Sequence, residues 1–276
     1  MGSESIAHPH CTAKCQTMRL VTAIQFEGVT KQFGSYTAVQ NIDLSAGAGR
    51  FVSVVGPSGC GKSTLLNLAA GLTSPSSGSI AVFGEPLTGQ NRRAAYMFQA
   101  DALFPWKTVR ENVAIGPQFR GVAEAEAQAQ AQVWIERVGL KDFADAYPAQ
   151  LSGGMRRRVS MAQSWIVNPD ILLMDEPFSA LDVHMRVRMG EELLALWTLS
   201  PKTVLFVTHD LEEAIGLADE VVVLSAGPGS QIVGRHEVGL ERPRNMLDIR
   251  TDSRFMELYG RIWAQLREEV LRSHAR

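Results

Sequence analysis

Polar and apolar residues alternate near the start of the chain, and continuous apolar runs follow. Ile24 and Phe26 alternate with polar positions, Gly34-Ser35 marks a turn, and the apolar positions resume from Val39. Residues 51–55 form an almost unbroken apolar run between glycines, which is typical of a strand buried on both faces. This part of the chain therefore predicts strands.

Later segments alternate between strand and helix patterns. We predict further strands at 80–83, 171–174, 204–207 and 221–224, and helices at 65–70, 123–138, 183–199 and 246–272. Gly71 would end the first helix. Between 123 and 132, Ala alternates with Glu or Gln, but all three are strong helix formers, which favours a helix. The order of elements predicts an α/β core that a helical insertion interrupts.

Composition narrows the class of protein. With 45% hydrophobic and 20% charged residues, the 276-residue chain is not disordered or collagen-like. The formal net charge of -2 gives no electrostatic footprint of a nucleic-acid binder. No apolar run approaches the roughly 20 residues of a membrane helix, and the start of the chain lacks the apolar core of a secretory signal. These features predict a soluble, cytosolic protein.

Residues 1–22 lack helical or strand periodicity and predict a flexible N-terminal tail. The tail contains His8, His10, Cys11 and Cys15, but this crowding without a second ligand cluster does not match the usual zinc spacings. With Cys60, the cysteines make an odd count of 3, which argues against a disulfide-stapled fold. A loose tail without a metal is therefore the favoured interpretation.

Residues 56–64 fit the phosphate-binding loop pattern of Gly, four residues, Gly, Lys and Ser or Thr. The segment reads Gly56, Pro57, Ser58, Gly59, Cys60, Gly61, Lys62, Ser63 and Thr64. Because it follows a buried strand and opens a helix, its backbone N–H groups can surround phosphates at a helix N-terminus. We expect Lys62 to neutralise the β- and γ-phosphates and the Ser63 hydroxyl to bind Mg²⁺. An ordinary glycine turn would leave the Lys-Ser-Thr sequence unexplained.

Two further segments carry candidate chemistry. The apolar strand at 171–174 leads into Asp175 and Glu176, so that Asp175 is placed to hold the Mg²⁺ shell and Glu176 to polarise an attacking water. Ser152 is a candidate N-cap before Gly153 and Gly154, whose N–H groups could approach an anion. The arginines at 156–158 that follow are expected to form a solvated face or ion pairs.

Taken in order, these motifs carry a family resemblance. The phosphate loop, Gln99, residues 151–155, Asp175-Glu176, residues 179–182 and residues 208–210 together resemble the ATPase subunit of ABC transporters. The resemblance implies a P-loop NTPase core of the α/β class with an antiparallel β subdomain and a helical signature subdomain. It implies an ATPase domain over 23–240, with the helical subdomain inserted at about 93–165, and a C-terminal helical segment over 241–276.

The resemblance also implies roles for individual residues. Catalytic roles would belong to Glu176, His209 and Gln99. Phe33 would stack on the adenine of ATP, whose phosphates the phosphate loop would hold. The Mg²⁺ cofactor would contact Ser63, Gln99 and Asp175. In a head-to-tail dimer, the partner's ATP would meet Leu151, Ser152, Gly153, Gly154, Met155 and Asp182.

Three positions depart from the family pattern. Met155 ends the signature where Gln is commonest, and Arg157 stands where the family usually has Gln. Phe33 replaces the usual Tyr, which keeps the aromatic face and loses only the hydroxyl. None of these changes removes a catalytic group.

Residues 96–109, together with Met155, look like the nitrate, sulfonate and taurine importer branch, to which carriers of thiamine-precursor pyrimidines are related. In the family this segment lies where a membrane subunit docks, and an exposed Phe104-Pro105-Trp106 would suit such an interface. Internal packing is the competing interpretation for Trp106, and a stronger one for Phe98.

The leading hypothesis is an ATP-hydrolysing subunit that energises an importer of a small anion such as an aliphatic sulfonate, taurine or nitrate. It would act on the cytoplasmic face of the inner membrane with a second copy, permease subunits and, indirectly, a substrate-binding protein. One alternative is an importer of a thiamine-precursor pyrimidine. A soluble ABC ATPase acting on nucleic acid fits less well, because the chain has one phosphate loop and no basic excess. A P-loop kinase also fits less well, because residues 151–155 and 179–182 would have no role in it.

Overall fold

The computed structural model describes residues 21–274, which contain two sheets, seven α-helices and three short 3-10 helices. The strands are β1 (Thr22–Phe33), β2 (Tyr36–Gly47), β3 (Phe51–Val55), β4 (Ser77–Val82), β5 (Glu85–Pro86), β6 (Ala94–Met97), β7 (Ile171–Asp175), β8 (Thr203–Val207), β9 (Glu220–Leu224) and β10 (Ile232–Glu237). The helices are α1 (Lys62–Ala69), α2 (Val109–Phe119), α3 (Glu124–Arg137), α4 (Gly153–Ile166), α5 (Val183–Leu199), α6 (Leu211–Leu217) and α7 (Ser253–His274). The predicted tail, with its His and Cys residues, lies outside the described residues except for its last two positions.

The larger sheet forms the centre of the fold. Its strand order is β10-β9-β3-β8-β7-β6, and all strands are parallel except the edge strand β10. Strands β3, β7, β8 and β9 are buried along their whole length, because apolar clusters cover both faces of the sheet. The continuous apolar runs predicted these buried strands correctly.

The smaller sheet is antiparallel, in the order β2-β1-β4-β5, and covers one face of the core. Its alternating residues Ile24, Phe26, Ile42 and Leu44 are buried in the same apolar cluster as Leu65 of α1. The predicted alternation and the turn at Gly34-Ser35 are therefore confirmed.

The helical part packs around its own apolar cluster, formed largely by α2, α3 and α4. The segment 123–138 is helical as predicted, and α3 buries Ala127, Ala131 and Ile135 at helical spacing. The predicted start of the insertion at residue 93 is wrong, because β6 pairs in parallel with β7 in the central sheet. The helices of this helical part therefore begin only at α2, a helix that the apolar pattern did not predict.

The C-terminal helix also starts later than predicted. A helix from residue 246 was expected, but α7 begins at Ser253. The side chain of Asn245 accepts hydrogen bonds from the backbone N–H groups of Leu247 and Asp248, which favours a turn there. Asp252 then accepts from two N–H groups of the first helical turn and acts as the cap of α7. Among the described residues, no helix is both long enough and apolar enough to cross a lipid bilayer.

We expect Gly71→Ala to destabilise the fold strongly. Gly71 ends α1 at a φ of +66°, and an added Cβ would lie 1.8 Å from the carbonyl oxygen of Gly89. A left-handed Ala costs about 1–2 kcal/mol by itself, and displacing backbone in a packed region raises the total loss in unfolding free energy to about 3 kcal/mol or more. Chemical denaturation would measure it.

Gly89→Ala is the matched control, because Gly89 has a φ of +71° but no atom within 4 Å of an added Cβ. Its unfolding free energy should fall only by the cost of a left-handed Ala, about 1–2 kcal/mol. Equal losses in the two variants would contradict the close approach at Gly71.

Candidate nucleotide-binding site

The phosphate loop connects β3 to α1 at the carboxyl edge of the central sheet. Gly61 is the N-cap of α1 with a φ of 90°, and a Cβ there would lie 2.7 Å from a methyl group of Val39. Ser230 donates to the carbonyl oxygen of Cys60 and lies 3.1 Å from that of Ala38. The loop is thus held between the smaller sheet and the segment after β9, with the N-terminus of α1 directed toward its centre.

Lys62 and Ser63 begin α1 and carry the polar groups of the loop. The Lys62 ammonium is buried and donates to the carbonyl oxygens of Gly56 and Pro57 at 2.9 and 3.0 Å. The Ser63 hydroxyl donates to Asp175 Oδ1 at 3.1 Å. The structure therefore brings together the predicted Mg²⁺ ligands Ser63 and Asp175, which lie 112 residues apart in the sequence.

Asp175 ends β7 and is buried beneath the loop. Its second carboxylate oxygen accepts a hydrogen bond from the Tyr96 hydroxyl of β6 at 3.2 Å. Burial raises the pKa of Asp175, and the hydrogen bonds from Ser63 and Tyr96 oppose this shift. Burial and the neighbouring carboxylate also raise the pKa of Tyr96. Sequence reasoning assigned no role to Tyr96, although it lies in the strand that leads to Gln99, beside the strand that ends at Asp175.

Glu176 follows Asp175 and has a φ of 42°, which is unusual for a residue with a side chain. This conformation turns the chain so that Glu176 lines the open side of the site while Asp175 lies beneath it. The Nδ1 atom of His209, which follows β8, lies 3.0 Å from Glu176 Oε2. Because an ionised carboxylate only accepts, the ring donates through Nδ1. His209 and Glu176 are therefore paired, as their predicted joint role requires.

An open cavity of about 440 Å³ lies over these groups. It is lined by Phe33, Tyr36, Ala38, Ser58, Gly59, Gly61, Lys62, Ser63, Thr64, Gln99 and Glu176. Most of the predicted phosphate-loop residues, the predicted stacking residue and two predicted catalytic residues thus share one cavity. Tyr36 was missed by sequence reasoning. It pairs with Phe33 across the β1-β2 turn, so that two half-exposed aromatic rings flank one end of the cavity.

The predicted signature residues do not line this cavity. Ser152 is the N-cap of α4 and accepts from the backbone N–H of Met155 at 3.3 Å. Gly154 lies so close to α5 that an added Cβ would be 2.9 Å from Met185 Sδ. Asp182 is the N-cap of α5 and likewise accepts from a backbone N–H of its own helix. Leu151 is buried beside them, and Gly153 is half-exposed at the first position of α4.

The three arginines of α4 form ion pairs, which was one of the two predictions for residues 156–158; the other was a solvated face. Arg156 pairs with Asp101 at 3.0 Å, and Arg158 pairs with Glu192 of α5 at 2.5 Å. Arg157 is buried, and burial lowers its pKa while Asp101 opposes the shift. None of the three supplies a free basic patch for nucleic acid.

Helix α6, which begins two residues after His209, contains a buried acid that sequence reasoning missed. Glu213 accepts a hydrogen bond from the Thr208 hydroxyl at 2.7 Å, and burial raises its pKa to about 7. Asp210 caps α6 and pairs with Arg186 of α5 at 2.6 Å. These contacts hold the residues on both sides of His209, and thereby fix the position from which its ring reaches Glu176.

The aromatic segment after Gln99 is exposed at its centre. Trp106 is 71% exposed, and its ring centre lies 5.5 Å from that of Phe104. Phe98 is also exposed, although its ring packs on Tyr96. The fully buried Asn112 side chain bonds with both backbone polar groups of Phe104 and with the carbonyl of Lys107. Trp106 is therefore not packed internally, and Asn112 of α2 anchors the backbone of the segment.

Comparisons with known proteins agree with this geometry. The family model described as ABC transporter matches residues 39–179. A putative ATP-binding protein of Brucella abortus is 44% identical over 242 residues, which cover 87% of this chain and 92% of that protein. The nitrate import ATP-binding protein NrtD of Synechocystis sp. is 47% identical over 197 residues, covering 71% of this chain and 74% of NrtD. The bicarbonate transport ATP-binding protein CmpC of Synechococcus elongatus is 43% identical over 239 residues, which cover 84% of this chain and 36% of CmpC.

A solved structure gives the same assignment. The dimeric ATP-binding cassette MJ0796, in a post-hydrolysis state bound to ADP and Pi, matches with a TM-score of 0.70 and 30% identity, over 79% of this chain and 100% of that one. These matches confirm the resemblance and the fold class that the motifs predicted. The chain belongs to the ABC transporter family and is one of its ATP-hydrolysing subunits.

Proposed function

We propose that the chain binds and hydrolyses MgATP to energise an importer of a small anion. The observation that carries this proposal is the convergence of the phosphate loop, Glu176 and Gln99 on one cavity at the edge of the parallel sheet, with Asp175 bonded to Ser63 beneath it. Ligands bind at this edge in open α/β sheets, because strand ends and helix N-termini meet there.

ATP would lie along this cavity with its adenine at the aromatic end. The ring of Phe33 is exposed to the cavity and offers a face for stacking, and Tyr36 stands beside it. The triphosphate would follow the loop toward Lys62, whose ammonium can exchange its carbonyl partners for phosphate oxygens. N–H groups at the start of α1 add further donors.

The donor set also fits Mg²⁺. The Ser63 hydroxyl and the Asp175 carboxylate are hard oxygen ligands, already within hydrogen-bond distance of each other. Gln99, whose side-chain amide also carries an oxygen, lines the cavity above them. These residues would hold the ion, which supplies charge neutralisation to the phosphates when bound. The contact between the Tyr96 hydroxyl and Asp175 orients the carboxylate from below.

Glu176 would act on the attacking water. Its carboxylate reaches the open side of the cavity and is held by the hydrogen bond from His209. A carboxylate in this place can accept a proton from water as the water attacks the γ-phosphate, and Gln99 can orient that water. His209 keeps Glu176 in position and would contact the γ-phosphate itself.

A second copy of the chain would complete the site. Residues 151–155 and Asp182 lie away from the chain's own cavity, so their predicted contacts with ATP require another subunit. Ser152 and Gly153 present exposed or half-exposed groups at the N-terminus of α4, which suits a phosphate. MJ0796, whose fold this chain shares, is a dimeric cassette.

The relatives support a small anion as the cargo. NrtD is named for nitrate and CmpC for bicarbonate, both small monoanionic oxyanions. Aliphatic sulfonates and taurine carry the same kind of anionic head, whereas a thiamine-precursor pyrimidine does not. The subunit would work at the cytoplasmic face of the inner membrane, attached through permease subunits that receive cargo from a substrate-binding protein.

We expect the complex with the permease and the binding protein to hydrolyse ATP faster when a small anion is supplied. Nitrate, bicarbonate and an alkyl sulfonate should be compared with a thiamine-precursor pyrimidine and with duplex DNA, by phosphate release. Lys62→Ala is the control and should show no turnover, because the phosphate charge loses its main side-chain partner. Stimulation by the pyrimidine alone would show that the cargo is a pyrimidine and not a small anion. Stimulation by DNA alone would overturn the importer function.

Glu176→Gln should hydrolyse ATP at least about 100-fold more slowly, because the amide lacks the basic oxygen. Its carbonyl can still accept from His209, and the smaller negative charge near the γ-phosphate favours the closed dimer. Size-exclusion chromatography with MgATP should therefore show a stable dimer. Adding Ser152→Arg should abolish the dimer by crowding the partner's phosphate site. A Glu176→Gln subunit with wild-type turnover would assign the catalytic oxygen to another residue.

Replacing Phe104 and Trp106 with Ala should uncouple transport while ATP binding by the isolated subunit stays intact. Truncating a central aromatic anchor costs about 2 kcal/mol or more, which weakens the permease complex by about 30-fold. Phe119→Ala is the matched control, since Phe119 is an 82% exposed ring at the end of α2, away from residues 104–106 in the sequence. Normal permease binding by the double variant, measured by co-purification and anion-stimulated ATPase activity, would contradict the docking role.

A further inference from the structure

Arg157 holds the backbone of the Gln99 segment. The residue is only 3% exposed, and its guanidinium donates to the carbonyl oxygens of Phe98 and Gln99 at 2.9 and 2.6 Å. Both carbonyls lie between β6 and α2, whereas Arg157 lies one turn into α4. A planar, buried guanidinium that bonds two successive carbonyls fixes both their distance and their direction.

A second contact ties the same two elements together through Asp101. One oxygen of this carboxylate lies 3.0 Å from Arg156 Nε, and the other lies 3.6 Å from Arg157. Arg156 also donates to the carbonyl oxygen of Leu151 at 2.7 Å. Asp101 is thus linked to the first residue of the signature segment on one side and, through the chain, to the half-buried Phe104 and the exposed Trp106 on the other.

The usual Gln at position 157 could not make this set of contacts. A Gln side chain is shorter, carries no charge, and offers two N–H groups on one nitrogen. The five donors of Arg serve two carbonyls and still leave charge to pair with Asp101. Arg157 and Asp101 therefore form a matched pair in this chain, which explains how a buried charge is tolerated there.

We propose that Arg157 is a positioning residue that makes the signature end of α4 and the Gln99 segment move as one unit. The inference rests on the proposed function, in which α4 meets the ATP of a second copy. Closure of α4 on that nucleotide would then place Gln99 at the chain's own nucleotide. Because Asp101 leads directly into residues 104–106, the same movement would reach the proposed permease surface.

Arg157→Met is the informative variant. It keeps the length of the aliphatic stem but removes every donor and the charge, and apolar residues commonly replace buried charges without unfolding a protein. Arg158→Met is the matched control, because Arg158 also loses an ion pair on α4, with Glu192, but has no bond to residues 98–101.

Hydrogen exchange separates a positioning role from a structural one. In the Glu176→Gln background, MgATP should protect the amides of both 151–155 and 98–106. With Arg157→Met added, MgATP should still protect 151–155, but protection of 98–106 should fall by about tenfold or more, as local opening there no longer depends on α4. The Arg158→Met control should keep protection in both segments.

Kinetics of the chain with Glu176 intact gives a second readout. Arg157→Met should lower kcat by about tenfold or more, because Gln99 is misplaced. The dissociation constant of a fluorescent ATP analogue should stay unchanged, because the phosphate loop is intact. Arg157→Gln, which keeps two N–H donors, should recover part of kcat. A general loss of stability would not make Arg157→Gln faster than Arg157→Met, and it would not lower kcat while the dissociation constant stays unchanged.

Retained nucleotide-dependent protection of 98–106 in Arg157→Met, with wild-type kcat, would overturn the proposal. If Arg157→Met does not fold, Asp101→Asn takes its place, since it weakens the same link from the more exposed side. Unchanged protection in that variant would also overturn it. Failure of the proposed function is distinguishable, because the reference chain itself would then neither dimerise with MgATP nor hydrolyse it.

Discussion

The parallel order of β3, β8, β7 and β6 is the constraint on which the rest of the site depends. Parallel strands end at the same edge of a sheet, so the segments that follow them lie side by side. The phosphate loop follows β3, and His209 follows β8. Asp175 ends β7 and Glu176 follows it, while Gln99 follows β6. Groups far apart in the sequence thereby come within hydrogen-bond distance, as Ser63 and Asp175 do at 3.1 Å and Glu176 and His209 do at 3.0 Å.

The apolar core beneath this edge gives the polar groups their strength. Strand β7 is completely buried up to Asp175, so the carboxylate is largely removed from water and its pKa is raised. Charges act more strongly on each other where water is excluded, and groups fixed in advance need not reorganise during the reaction. Lys62, Ser63 and Tyr96 are held by partners on different elements. These polar groups are therefore preorganised, as the proposed binding of a triphosphate and its metal ion requires.

The helical part adds the connections that a transport ATPase needs. Residues 98–107 join the central sheet to α2 and are held from two sides, by Asn112 at the aromatic end and by Arg157 at the Gln99 end. The same short segment thus carries a residue of the nucleotide cavity and an exposed tryptophan about seven positions later. Its rigidity would let a change at the nucleotide reach the surface proposed for the permease, because buried, bonded groups shift together.

The sequence by itself determined the family and predicted the chemical roles, because phosphate binding requires particular residue types at fixed local spacing, as in residues 56–64. It also determined the buried strands, whose apolar runs need no knowledge of their neighbours. It misplaced the start of the helical part, since β6 is short and only half-buried. It also misplaced the start of α7, since the side chains of Asn245 and Asp252 accept backbone hydrogen bonds that favour a turn and a later helix start. Only the tertiary structure decided that Tyr36 lines the cavity, that Tyr96 contacts Asp175, and that Arg157 is buried against the Gln99 segment. These are contacts between residues distant in sequence, which local pattern does not encode.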